Sequence, residues 1–258
     1  MRYPQRNILF ILLTPIFFIL AEWISVFPHE FAHSTVAWFF GFKESPFAIY
    51  YGHFNWQNIF FVTGIEENVN YTQIKAAGRF DVVGWIGFAG PIITLLFYVV
   101  TLLLLQWKKI KSYPYFYYFL FWMNILNLSE LFSYIILRSF SSYGDMANIE
   151  MGWHVSPGYI IIIGGALVIF ALNYLFVRTL PALYLILNLT ISLRITILTL
   201  TTFFIFGHAG IRMLLYSYGT LATILGSACL ISMPVMIMLF FPTRARTKYK
   251  TKLLKAKL

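Results

Sequence analysis

The sequence predicts an all-α polytopic membrane protein of about six transmembrane helices, with a short β-hairpin-like segment at the membrane face between helices 1 and 2. Four observations carry this fold class. Hydrophobic residues make up 60% of the 258 and charged ones only 11%. The mean hydropathy of +0.76 is far above what a soluble domain of this length needs to fill its core. Apolar runs of ~20 residues recur along the chain, each long enough to cross a hydrocarbon layer of about 30 Å. Basic residues, finally, gather at alternate ends of those runs, as the positive-inside rule requires.

The first span covers roughly residues 7–40. Its apolar stretch is too long for a signal peptide and has no small-residue cleavage site before Pro28, so it is expected to stay in the protein. The connection at 42–81 holds the aromatic and β-branched runs "FAIYYGHFNW" and "NIFFVTGIEENVNY". Such runs around a glycine-bounded break suit a hairpin, with Phe47 to Trp56 as its candidate exposed edge. Further spans are expected at 82–106, 114–138, 158–178, 181–206 and 211–241. Each is expected to be helical, because lipid offers no partner for an unpaired backbone group.

Arg2 and Arg6 precede the first span, Lys108, Lys109 and Lys111 fill the second connection, Arg178 sits in the fourth, and the tail "RARTKYKTKLLKAK" follows the last. Six crossings put all of these on one side, so both termini are expected in the cytoplasm. The tail reads as a stop signal touching anionic lipid, and no nucleic-acid partner is expected. One cysteine, Cys229, excludes an internal disulfide framework and cysteine-rich zinc modules. No repeat or appended soluble domain interrupts the pattern. The chain is expected to be a single transmembrane domain, with a core at 1–150, three additional spans at 151–241 and a basic tail at 242–258. Nothing in the sequence speaks to oligomeric state.

Ionisable groups inside such a chain demand an explanation, since each costs roughly 2.5 kcal/mol or more in hydrocarbon. His29-Glu30-Phe31-Ala32-His33 places two imidazoles at i and i+4 on one face of a helix, with a glutamate between them. This H-E-x-x-H spacing lets His29 and His33 bind one metal ion while Glu30 reaches water beside it as a general base. Zinc, one ion per chain, suits imidazole and carboxylate ligands with one open position. A third protein ligand is needed. Asp145, which follows the third span, returns to the side of the membrane where the histidines lie. Asp81 also begins a span on that side; Glu130, His53 and His154 complete the candidates.

HEFAH at the end of an apolar helix with further spans after it resembles the site-2 protease family of intramembrane zinc metalloproteases. "GFAGPIITLL" at 87–96 is similar to that family's Ala-Gly-Pro signature, with Thr94 where an asparagine is common. "MNILNLSELF" followed by "GDM" resembles its asparagine-containing third helix leading to a ligand aspartate. The chain departs from the usual Asn-x-x-Pro and Leu-Asp-Gly, since Asp145 lies 18 residues beyond Asn127 and precedes Met146. The resemblance covers about residues 7–150. It implies a metalloendopeptidase with Asp145 as third ligand and Asn124 or Asn127 as a substrate-positioning amide. Its partner would be a membrane-protein or signal-peptide substrate, cut within the bilayer. Two other functions fit the same polar set: a non-proteolytic membrane scaffold of this fold, and an ion-coupled transporter. Glu22 and Arg194 are further charges within spans, and Glu22 or Glu130 is the expected partner of Arg194. His208 and Arg212 are expected to flank a short turn.

Overall fold

Six helical stretches long and apolar enough to cross a membrane build the fold: Asn7–Phe39, Phe80–Gln106, Pro114–Leu137, Pro157–Ile186, Ile191–Leu215 and Thr220–Phe240. They mark an integral, multi-pass membrane protein. The computed structural model describes residues 3–62, 64–215 and 219–242. The basic tail from Arg244 onward and Arg2 lie outside the described residues.

Helix α1 (Tyr3–Phe39) packs against α4 (Phe80–Gln106) and α6 (Pro114–Phe132), and α4 packs on α6 in turn. Helix α6 is the centre of this group. In its span 83% of the most apolar window is buried against protein, although that span has the lowest hydropathy of the six. Its polar side chains account for this. Asn124 donates to the Tyr98 carbonyl (3.0 Å) and Thr101 Oγ1 (3.0 Å) on α4, and Ser129 to the Phe204 carbonyl (2.7 Å). Groups that cannot face lipid unpaired draw the helix inward.

The expected membrane-face hairpin does not form: among the described residues there is no strand. One antiparallel bridge joins Tyr50 and Glu66. The rest of the connection turns into two short helices, α2 (Trp56–Phe61) and α3 (Tyr71–Ala76). The reason is local. Asn58 uses its amide to bond the Tyr51 and His53 carbonyls and to accept the Gly64 N–H, taking groups that a second strand would need. Asn55 then caps α2 by accepting the Asn58 N–H.

Two expected breaks also move. A break near 179–180 was expected ahead of Pro181, but the helix runs through it. After α5 (Lys108–Lys111) and α7 (Asp145–Trp153), helix α8 (Pro157–Tyr174) passes through a π-helical turn at Leu175–Thr179 into α9 (Leu180–Ile186). The wider turn absorbs the hydrogen bond that Pro181 cannot donate. Arg178 is therefore inside the fourth span, not in a connection. Likewise α10 (Ile191–Thr202) continues through a π turn at Phe203–His208 into α11 (Ala209–Leu215), so His208 and Arg212 lie within the fifth span. Helix α12 (Thr220–Phe240) closes the fold.

Candidate metal centre

Three elements converge on one point. Helix α1 supplies His29 and His33 one turn apart, and α7 supplies Asp145 in its first turn. The third span ends in a π turn at Ser133–Leu137, which carries Tyr134. His29 Nε2 lies 3.0 Å from His33 Nε2 and 3.3 Å from Asp145 Oδ2; His33 Nε2 lies 3.4 Å from Asp145 Oδ1. Both histidines are buried. Bonds of about 2.0–2.1 Å meeting at a tetrahedral angle put donor atoms about 3.3 Å apart. The two ring nitrogens, and the carboxylate oxygen that faces each of them, stand at close to that spacing.

The outer ring nitrogens settle which way the lone pairs point. His33 Nδ1 faces the Ile86 carbonyl, which can only accept, so the proton is on Nδ1. His29 Nδ1 lies 2.9 Å from Thr94 Oγ1, whose own hydroxyl donates to the Gly90 carbonyl (3.2 Å). Thr94 is then the acceptor for His29. In the neutral rings both Nε2 atoms then carry lone pairs, aimed at each other and at a carboxylate. Three acceptors at contact distance repel unless a cation sits between them. The donor set fits a tetrahedral metal with an open fourth position.

Glycines allow this approach. A methyl group at Gly90 would lie 2.2 Å from His33 Nε2 and 2.5 Å from His29 Nε2, so α4 must be bare where it passes the imidazoles. Nearer the start of α4, a methyl at Gly152 of α7 would lie 2.3 Å from the Gly84 nitrogen. The α4–α7 contact is thus backbone against backbone, and it brings Asp145 to the histidines. Gly144 begins α7 with φ +88°, a conformation only glycine adopts without strain.

The centre opens into a cavity of about 830 Å³ between the first, third and fifth spans. Glu30 lines it, and Oε2 of Glu30 is buried with no hydrogen-bond partner among the described residues. Glu67, from the connection between the first two spans, reaches Glu30 and accepts the Tyr71 hydroxyl (2.9 Å). Lys43 Nζ holds the Glu67 carbonyl from behind. Of the two asparagines with an expected positioning role, Asn127 lines the cavity; its amide donates to Ser25 Oγ (2.9 Å) and Oδ1 has no partner among the described residues. Asn124 points into α4 instead.

The other third-ligand candidates go elsewhere. Asp81 pairs with Arg79 (2.9 Å), Glu130 with Arg212 (3.7 Å) and His53 with the Tyr50 hydroxyl (2.9 Å), while His154 caps α7. Among the described residues His29, His33 and Asp145 are the group that could hold a metal ion. Arg194, expected to pair with Glu22 or Glu130, instead donates to the Leu189 carbonyl (2.9 Å) and lies over the Tyr184 ring.

Sequence reasoning missed Thr94, Tyr134 and Glu67. Thr94 lies one helical turn after Gly90, so its bond to His29 was in principle readable from the Ala-Gly-Pro segment. Tyr134 stacks on the His29 ring (5.4 Å between centroids) and its hydroxyl lies 3.2 Å from Nε2. That contact depends on the π turn, which no residue pattern announces. A comparison with family models, with curated proteins and with solved structures finds no match.

Proposed function

We propose that the chain is an intramembrane zinc metalloendopeptidase that hydrolyses a peptide bond in or near the transmembrane segment of a membrane-protein or signal-peptide substrate. The observation that carries this is the set of two inward-facing imidazoles and a carboxylate beside a glutamate whose Oε2 has no hydrogen-bond partner among the described residues, at the head of a polar cavity inside a membrane domain. When bound, zinc supplies Lewis acidity that polarises a carbonyl oxygen and acidifies water.

The chain's own residues do the rest. Thr94 and the Ile86 carbonyl fix both imidazoles by their outer nitrogens. Glu30, with Oε2 free of other bonds, takes a proton from water and returns it to the leaving amine. The partnerless Asn127 oxygen accepts a backbone N–H of the extended substrate. A helical substrate must unwind first, and Asn127 offers one replacement for the hydrogen bonds it loses.

From the charges at Lys108, Lys109 and Lys111 and at the ends of the chain, we also propose cytoplasmic termini. His29 follows Asn7 by about 33 Å of helix rise, which puts the centre toward the opposite face. The experiment is cleavage of a model transmembrane substrate by purified protein, expected to be abolished in Glu30→Gln with zinc content unchanged. Zinc without cleavage would point to a non-proteolytic scaffold, and ion-coupled uptake to a transporter.

A further inference from the structure

We infer that Glu22, Glu130 and Arg212, deeper in the same cavity, form a subsite for a cationic side chain of the peptide substrate, two or three residues from the cleaved bond; this rests on the proteolytic reading. Arg212 Nη1 lies 3.7 Å from Glu130 Oε1. Glu22 is close enough to both to feel their charge. Its carboxyl is enclosed by protein on nearly all sides, with its residual surface turned to the cavity. No hydrogen bond or ion pair reaches it among the described residues. One guanidinium thus faces two carboxylates, with His208 on the same wall.

The imbalance extends to the whole cavity. Of the nine acidic residues in the chain, six (Glu22, Glu30, Glu66, Glu67, Glu130 and Asp145) line it, against three of nineteen basic ones, Lys75, Arg138 and Arg212. A chain with net charge +10 has gathered most of its acidic residues in one place. Carboxyl groups enclosed in a membrane domain ionise only at a cost until a cation meets them. Arg212 stands among the carboxylates and would repel a divalent metal, whereas a single lysine or arginine balances the group.

Chain geometry sets the register. Glu22 precedes His29 by seven residues of α1, about 10 Å of rise, and Glu130 precedes Tyr134 by one turn, about 6 Å. An extended substrate advances about 3.3 Å per residue. A bond held at the histidines therefore places a side chain two or three residues away beside Glu130 and Glu22.

The test uses the full chain as Glu30→Gln in lipid nanodiscs, which binds without turnover. The probe is a fluorescent leucine-rich peptide of about 20 residues carrying one lysine near its centre, against the same peptide with norleucine. The lysine peptide is expected to bind about tenfold tighter, and Glu22→Gln or Glu130→Gln to bring it within about twofold of the norleucine peptide. Equal binding of the two peptides, binding of neither, or a preference that survives Glu22→Gln overturns the inference. Glu22→Gln keeps the test decisive if Glu130→Gln, which removes the carboxylate that faces Arg212, fails to fold. With Glu30 intact, kcat/KM is expected to peak for lysine two or three residues from the bond. A protein that cleaves no peptide defeats the proteolytic reading, while the binding preference is decided separately.

Discussion

The third and sixth spans are helical stretches of 24 and 21 residues, yet protein buries 83% of the most apolar 18-residue window in the third and 11% of that in the sixth. Their hydropathies, 1.4 and 2.1, run the other way: the less apolar helix is inside. In lipid, apolar side chains gain nothing by leaving the membrane, whereas an amide or carboxyl must find a partner. The third span carries Asn124, Asn127, Ser129 and Glu130 and pairs them with α1, α4 and the fifth span. The sixth carries no amide or carboxyl side chain; its Thr223, Ser227 and Ser232 hydroxyls return to carbonyls four residues back. Polarity thus marks the interior, and the proposed chemistry lies there.

Substitutions can break this contrast, and the largest effect is expected at Gly90. Gly90→Ala puts a methyl on top of both ligand nitrogens, and zinc affinity measured by competition with a chelator should fall more than about a hundredfold. Gly152→Ala touches no ligand but forces α7 off α4. It should cost about 1–3 kcal/mol by thermal denaturation and weaken zinc through the displaced Asp145. Thr94→Val keeps the shape but removes the acceptor for His29 Nδ1, for an expected loss of zinc affinity of about tenfold.

A subtler effect concerns α7. Burial lifts the Glu150 carboxyl to about 7. From its unfolded value of about 4.3 upward, the unfolded chain releases this proton while the folded one retains it. Stability should therefore fall as pH rises through that window and level off above 7. Glu150→Gln should flatten the curve. At the far end, Met238→Ala on the exposed face of α12 should change stability by no more than about 0.5 kcal/mol and leave zinc content untouched.

How much of this could be read from the chain depended on what each feature rests on. Span number follows from apolar length, which composition reveals directly. Span ends were harder: Arg178-Thr179-Leu180-Pro181 and Gly207-His208-Ala209-Gly210 look like breaks, but π turns carry the helices through both. The hairpin failed because one side chain, Asn58, ties up the backbone it needed. His29, Glu30 and His33 were readable because their relation is local, one helical turn. Asp145 meets them across the fold, and its approach depends on Gly84, Gly90 and Gly152, whose role appears only when α4 and α7 are packed.

The measurement that bears most directly on the proposed centre is the zinc content of the purified chain beside His33→Ala and Asp145→Ala. One zinc per chain is expected in the wild type, with none retained by His33→Ala and a large loss in Asp145→Ala. A wild-type chain that binds no zinc, or an Asp145→Ala chain that keeps full affinity, would contradict the centre described above.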